Sequence, residues 1–245
     1  MTDEPFHELD GALAAALADL PRAQPITILY SGGVDSSVLA HAILESSGVR
    51  LLSVGVRGSD DLSAGQNGAR LLGAPWVGHE VGEDEVRTAL REHGLELLPE
   101  PGRSVLASLA LALATTPEDS ISVAGQGADE LFGGYAHFRG LAQAQAELRR
   151  VEDWNRLVTA DWPATLAIAR RLRRRLAAPY LDDRFARAAR RIRLRPIDEG
   201  SLTKPVFRAW AAHRGVPDAI AYRPKRAIQY GSGIAGLVRK ITRVS

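Results

Sequence analysis

The residue types most suited to chemistry lie at Ser31, Gly32, Gly33, Val34, Asp35, Ser36 and Ser37, between the hydrophobic run ITILY at 26–30 and an apolar-periodic segment, SSVLAHAILESSG at 36–48. That order predicts a strand, a tight loop and a helix. Gly32 and Gly33 let the backbone turn sharply and approach an anion. The helix start supplies unpaired N–H groups and the positive end of its dipole, and Ser31, Ser36 and Ser37 add hydroxyl donors. The ligand expected is a polyphosphate. A carboxylate in such a loop is repelled by phosphates unless a divalent cation lies between them, so Asp35 reads as a magnesium ligand. The pattern is neither GxxxxGK[ST], which brings its own lysine, nor the GxGxxG dinucleotide turn.

A second cluster, GQGADELFGGY at 125–135, follows the short apolar run SISVAG at 120–125. Asp129 leaves that strand through a glycine-flanked turn and so stands at the carboxyl edge of a sheet, where open parallel sheets bind ligands, and Asp35 leaves at the same edge. Two carboxylates converging there could hold one magnesium ion. Asp129 and Glu130 also fit an N-cap and its helix-start partner, and Gly133 and Gly134 fit a helix stop. A third cluster is RPKRAIQYGSG at 223–233. A lysine preorganised in a dry site stabilises charge developing on a phosphoryl group, an effect worth about 3–4 kcal/mol per well-placed donor. Lys225 is read in that role, in preference to a solvated lysine in a basic stretch beside Arg223 and Arg226.

The elements that must position these clusters alternate. A helix at 7–20 precedes the strand at 26–30; strands follow at 50–58, 75–81 and 120–125, with helices at about 61–72, 83–93 and 103–115 between them. This alternation predicts an α/β fold with an open parallel sheet covered by helices on both faces. From about residue 139 the pattern turns helical and arginine-rich, with RRLRRRL at 170–176 and RFARAARRIRLR at 184–195. One unit is expected over 1–245, an α/β nucleotide-binding core at 1–138 and a helical part at 139–245, without low-complexity linker or internal repeat.

Composition removes several classes of function. The 245 residues are 45% hydrophobic, enough for a core, and the net charge of +2 does not by itself call for nucleic acid. The absence of cysteine excludes disulfides, thiolate metal sites and cysteine nucleophiles, including persulfide sulfur transfer. No N-terminal stretch has the order of a signal peptide, and the longest apolar run, VLASLALALA at 105–114, is too short to span a bilayer. A cytoplasmic protein is expected. The arginines of 170–195 fit either a solvated helix face or a basic surface for RNA or an acidic partner. Only Tyr180 and Phe185 lie among them, which favours the first.

Taken together, SGGVDSS, GQGADELFGGY and RPKRAIQYGSG resemble the synthetase domain of asparagine synthetase and its relatives, within the PP-loop ATP pyrophosphatases. SVGVRGSDDLSAGQNGARLLG at 53–73 and PYLDDRF at 179–185 fall in the family's order, so the resemblance covers nearly the whole chain. It implies an adenine nucleotide alpha hydrolase-like fold, ATP and Mg2+ as cofactors, and magnesium on Asp35 and Asp129. Lys225 takes the place of the catalytic lysine, and backbone groups at Leu29, Val54 and Gly125 hold adenine. The activity implied is an AMP-forming amide ligase that adenylates a carboxylate, aspartate in the family, and transfers ammonia to it.

Several positions depart from the family. Thr2 follows Met1 where glutamine-using members carry a catalytic Cys, and only about 25 residues precede the first strand. Ammonia is therefore expected free or from a separate glutaminase. Gln126 stands where those members have a glutamate assigned to deprotonate the amine, and a neutral amide is no general base. Either Glu130 or water takes that role, or Gln126 orients the nucleophile, or the nucleophile is not ammonia. Arg175, Leu176 and Ala177 replace a Glu-x-Arg pair associated with the substrate. Alternatives are a tRNA-modifying relative that adenylates a base and a non-catalytic nucleotide-binding subunit of a glutaminase complex.

Overall fold

The computed structural model describes residues 4–21, 23–44, 48–224 and 231–244. Five parallel strands, β1 (Ile26–Leu29), β2 (Val49–Gly55), β3 (Trp76–Glu80), β4 (Ile121–Val123) and β5 (Arg175–Ala177), form one open sheet in the order β3-β2-β1-β4-β5. The strand order reverses at β1 and β4, where Ile26 pairs with Ile121 and Ile28 with Val123. In open α/β sheets a ligand crevice forms at such a reversal, beyond the carboxyl ends of the strands.

α1 (Glu4–Ala18) precedes β1, and α2 (Val34–Ile43), α3 (Asp60–Leu72), α4 (Glu83–Glu92), α5 (Gly102–Thr115) and α6 (Ala128–Phe132) follow in turn among the strands. The chain continues through α7 (Gln143–Arg156), a π-helical turn at Leu157–Asp161, α8 (Trp162–Arg171), α9 (Asp183–Arg191), α10 (Pro205–His213), α11 (Asp218–Ala221) and α12 (Ile234–Val244). Two-residue periodicity along β1 separates the two cores. Ile26, Ile28 and Tyr30 pack with α1, α2, α9 and α10, whereas Leu29 faces the opposite cluster built by α4, α5, α8 and α12.

β5 is a correction to the expectation of a helical second half. Residues 175–177 return to the sheet and pair with β4, carrying the chain into Pro179 and Tyr180 beside the crevice. Many of the arginines nearby tie segments together. Arg174 donates to the carbonyl of Leu113 at 3.2 Å, Arg184 pairs with Asp19, Arg191 pairs with Glu8, and the Arg190 guanidinium lies 4.6 Å from the Trp154 ring centre. Among the described residues no helix is long and apolar enough to cross a membrane.

Candidate active site

The loop after β1 is shaped by its first glycine. Gly32 has φ +67, and a Cβ there would lie 2.4 Å from the backbone of Ala64 on α3, so the loop and α3 meet backbone to backbone. Gly33 is the extended N-cap of α2. The serines divide their duties: Ser36 and Ser37 are buried and donate to the Gly33 carbonyl at 3.3 and 2.9 Å, and Ser37 also shares a hydrogen bond with Tyr30 at 2.9 Å. Their hydroxyls hold the loop's shape here. The Ser31 carbonyl accepts from Arg223 at 3.3 Å, which joins the start of the third cluster to the loop.

Asp35 occupies the first turn of α2 and is 6% exposed. Its backbone is pinned by Tyr180, which is fully buried and donates its hydroxyl to the Asp35 carbonyl at 2.7 Å. Burial raises the Tyr180 pKa well above the phenol range, with a further push from the Asp35 charge, so it acts as a fixed donor. Gly125, at the end of β4, closes the other side: a Cβ on it would sit 3.1 Å from the Asp35 Cβ. Leu29, Val54 and Gly125 thus stand at or just past the carboxyl ends of three adjacent strands, β1, β2 and β4.

Asp129 lies on α6, and its placement depends on Gly134, where a Cβ would fall 2.0 Å from the Asp129 Oδ1. The carboxylates of Asp35 and Asp129 meet at one point, the ammonium of Lys204. Lys204 Nζ contacts Asp35 Oδ1 and lies 2.7 Å from Asp129 Oδ1, and the lysine side chain is fully buried. Lys204 has the left-handed backbone φ 58, ψ 48, directly before Pro205, a strained combination for a side-chain-bearing residue. No local signal in the sequence singles it out.

Arg208, one turn further along α10, is also buried. It donates to the carbonyls of Thr203 at 2.7 Å, Ala221 at 2.6 Å and Arg223 at 3.0 Å, so it clamps the Lys204 loop to the segment leading into the third cluster. Burial lowers its pKa, and the charges of Asp35 and Asp129 oppose that shift. Phe132, Phe207, Phe185, Tyr180 and Trp210 form a contiguous aromatic cluster of tilted and edge-to-face rings.

Glu130 points elsewhere. It is 5% exposed and accepts from the Tyr135 hydroxyl at 2.5 Å. Burial, and then the Asp129 charge, push its carboxyl up to about 7, against the pull of the Tyr135 hydrogen bond. Gln126 Nε2 donates to Thr165 on α8 at 3.2 Å, while its buried Oε1 finds no hydrogen-bond partner among the described residues. Lys225 lies outside the described residues.

The donor set suits a magnesium nucleotide. Magnesium is commonly held by one or two carboxylates, with phosphates and water completing its shell. Asp35 and Asp129 already converge on a positive charge, the Lys204 ammonium, and among the described residues no group of three or more His, Cys, Asp or Glu side chains forms an all-protein cage.

The family model described as asparagine synthase matches residues 8–178 and 175–243. The putative asparagine synthetase [glutamine-hydrolyzing] 1 of Methanocaldococcus jannaschii is 27% identical over 98% of this chain and 52% of its own length. Asparagine synthetase B [glutamine-hydrolyzing] of Escherichia coli is 28% identical over 85% of this chain and 42% of its own. The chain spans about half the length of these relatives. The NH3-dependent NAD synthetase from Campylobacter jejuni aligns over 70% of this chain and 93% of its own at 13% identity, with a TM-score of 0.42. With a family match across nearly its full length, the chain belongs to the asparagine synthase family, whose members are ATP-using, AMP-forming amide ligases.

Proposed function

We propose that this chain is the synthetase portion of an AMP-forming amide ligase. A substrate carboxylate oxygen attacks the α-phosphorus of ATP, the bond to the β-phosphate oxygen breaks, and pyrophosphate leaves. An amine then attacks the acyl carbon of the acyl-adenylate, AMP departs, and the amine loses a proton. The observation that carries this reading is the meeting of Asp35 and Asp129 at a buried lysine, at the strand-order reversal and beside a glycine loop opening a helix.

Each residue has a task in this scheme. The N–H groups at the start of α2 and the Gly32 turn receive the pyrophosphate. Asp35 and Asp129 would hold magnesium, which when bound neutralises phosphate charge. Backbone groups at Leu29, Val54 and Gly125 face the adenine, and Lys225 acts on the charge developing at the α-phosphorus. The Gln126 amide carbonyl accepts a hydrogen bond from the incoming amine, with Thr165 fixing its orientation. Glu130, whose carboxyl burial raises to about 7, can in its ionised form take the amine's proton by way of a water, since its own side chain turns to Tyr135.

The family substrates are aspartate and ammonia. In this chain the Arg175, Leu176 and Ala177 segment is β5 and supplies no counterpart of the family's Glu-x-Arg pair, so the acceptor is assigned here by class, as a carboxylate. The test is release of AMP and pyrophosphate from Mg-ATP with ammonium and a panel of carboxylates headed by aspartate, beside Asp35→Ala. Carboxylate-dependent AMP formation that disappears in the variant supports the reading. ATP binding without AMP formation across the panel would remove it.

A further inference from the structure

We propose that Lys204 is the resident cation of the Asp35 and Asp129 pair, excluding free divalent metal and yielding that place only when a nucleotide brings phosphates with the metal. The inference rests on the reading of these two aspartates as the metal carboxylates. It adds that the protein builds its own competitor for that metal.

Three features of the lysine carry it. Its ammonium is wholly buried and contacts a carboxylate oxygen of each aspartate. A buried charge is tolerated only when paired, and removing one partner of a buried ion pair leaves the rest uncompensated, so the cluster holds together strongly when empty of substrate. The lysine backbone is strained and over-determined: φ 58 ahead of Pro205, its carbonyl accepting from the Arg208 N–H at 3.0 Å, and Arg208 itself anchored to three carbonyls. Such a placement is a built feature rather than a long side chain resting where it falls.

Electrostatics then fixes the order of binding. A divalent cation approaching two carboxylates from water meets an ammonium already between them, at a distance where like charges repel strongly in a low-dielectric site. Magnesium also lacks the remaining ligands, since two carboxylates do not complete its shell. A nucleotide changes both conditions. Its phosphates supply the missing oxygens and offer the ammonium new anionic partners at the helix start of α2, so metal and nucleotide bind with positive coupling.

The test is Mn2+ binding followed by electron paramagnetic resonance, with and without a non-hydrolysable ATP analogue. The wild type is expected to bind Mn2+ at least about tenfold more tightly when the analogue is present, a coupling within the usual allosteric range. Lys204→Met is expected to bind Mn2+ without nucleotide, at least about tenfold more tightly than the wild type under the same conditions, and Lys204→Arg to stay closed to it. Asp35→Asn in the Lys204→Met background should abolish that binding. If Lys204→Met does not fold, Lys204→Gln takes its place, and in either variant Mn2+ binding no tighter than the wild type's without nucleotide overturns the role of Lys204. Wild-type Mn2+ binding that is equally tight without nucleotide overturns the role of Lys204 and leaves the metal assignment standing. Failure to bind Mn2+ even with the analogue overturns both.

Discussion

Tyr180 and Asp35 are 145 positions apart in sequence, yet the Tyr180 hydroxyl donates to the Asp35 carbonyl at 2.7 Å in the buried floor of the site. The bond ties the segment after β5 to the first turn of α2, and so couples the far end of the sheet to the loop after β1. Replacing Tyr180 by Phe leaves a buried carbonyl without that donor. The expected cost is about 1–2 kcal/mol in urea unfolding, with weaker binding of an ATP analogue. Unchanged nucleotide affinity would show that the bond serves folding alone.

Gly32 tests the geometry of the loop. Alanine there meets both a left-handed backbone and the Ala64 backbone at 2.4 Å, whereas alanine at Gly58 meets a similar φ of +73 with nothing within 4 Å. Gly58→Ala is expected to cost about 1–2 kcal/mol, and Gly32→Ala distinctly more, with loss of nucleotide binding. Equal costs in a denaturant comparison would contradict the close approach of the loop to α3.

Glu130 gives a pH dependence with a defined sign. Its carboxyl rises from 4.5 in the unfolded chain to about 7 in the fold. Within that window the folded chain holds the proton more tightly, so its contribution is full below the unfolded value and is lost as pH rises through about 7. The shift corresponds to roughly 3 kcal/mol. In EDTA and without nucleotide, Glu130→Gln should remove this decline. Its stability relative to the wild type should therefore rise between about pH 5 and about pH 8. Parallel profiles would mean that burial and the Asp129 charge do not hold the proton on Glu130.

Gln126→Glu addresses the second half of the reaction. A carboxylate in that position adds a base where the native amide is none, and general bases contribute about 100-fold or more when well placed. AMP formation should change little, while the share of acyl-adenylate captured by amine should increase about tenfold or more at neutral pH. No change in that partition would place the base elsewhere.

The strands and helices through residue 125 were legible because alternating apolar runs and 3.6-residue periodicity are local properties. SGGVDSS and GQGADELFGGY were legible because each sits at a strand's carboxyl end. β5 was not, since three residues inside an arginine-rich stretch show no period, and only pairing with β4 makes them a strand. Lys204 was hidden for a different reason: it is 169 positions from Asp35, and its importance arises only when the topology buries it between two carboxylates. Ser37 illustrates the converse, a hydroxyl that fits a phosphate site by type but is used inside the loop.

Under the proposed function, a carboxylate oxygen cleaves ATP between its α- and β-phosphates. The most direct measurement uses the carboxylate substrate labelled with 18O in its carboxyl group and follows the label by mass spectrometry during amide formation. Transfer of one labelled oxygen to AMP in each turnover, with pyrophosphate as the other product, is the predicted result. ADP and phosphate as products, or AMP free of the label, would contradict the account.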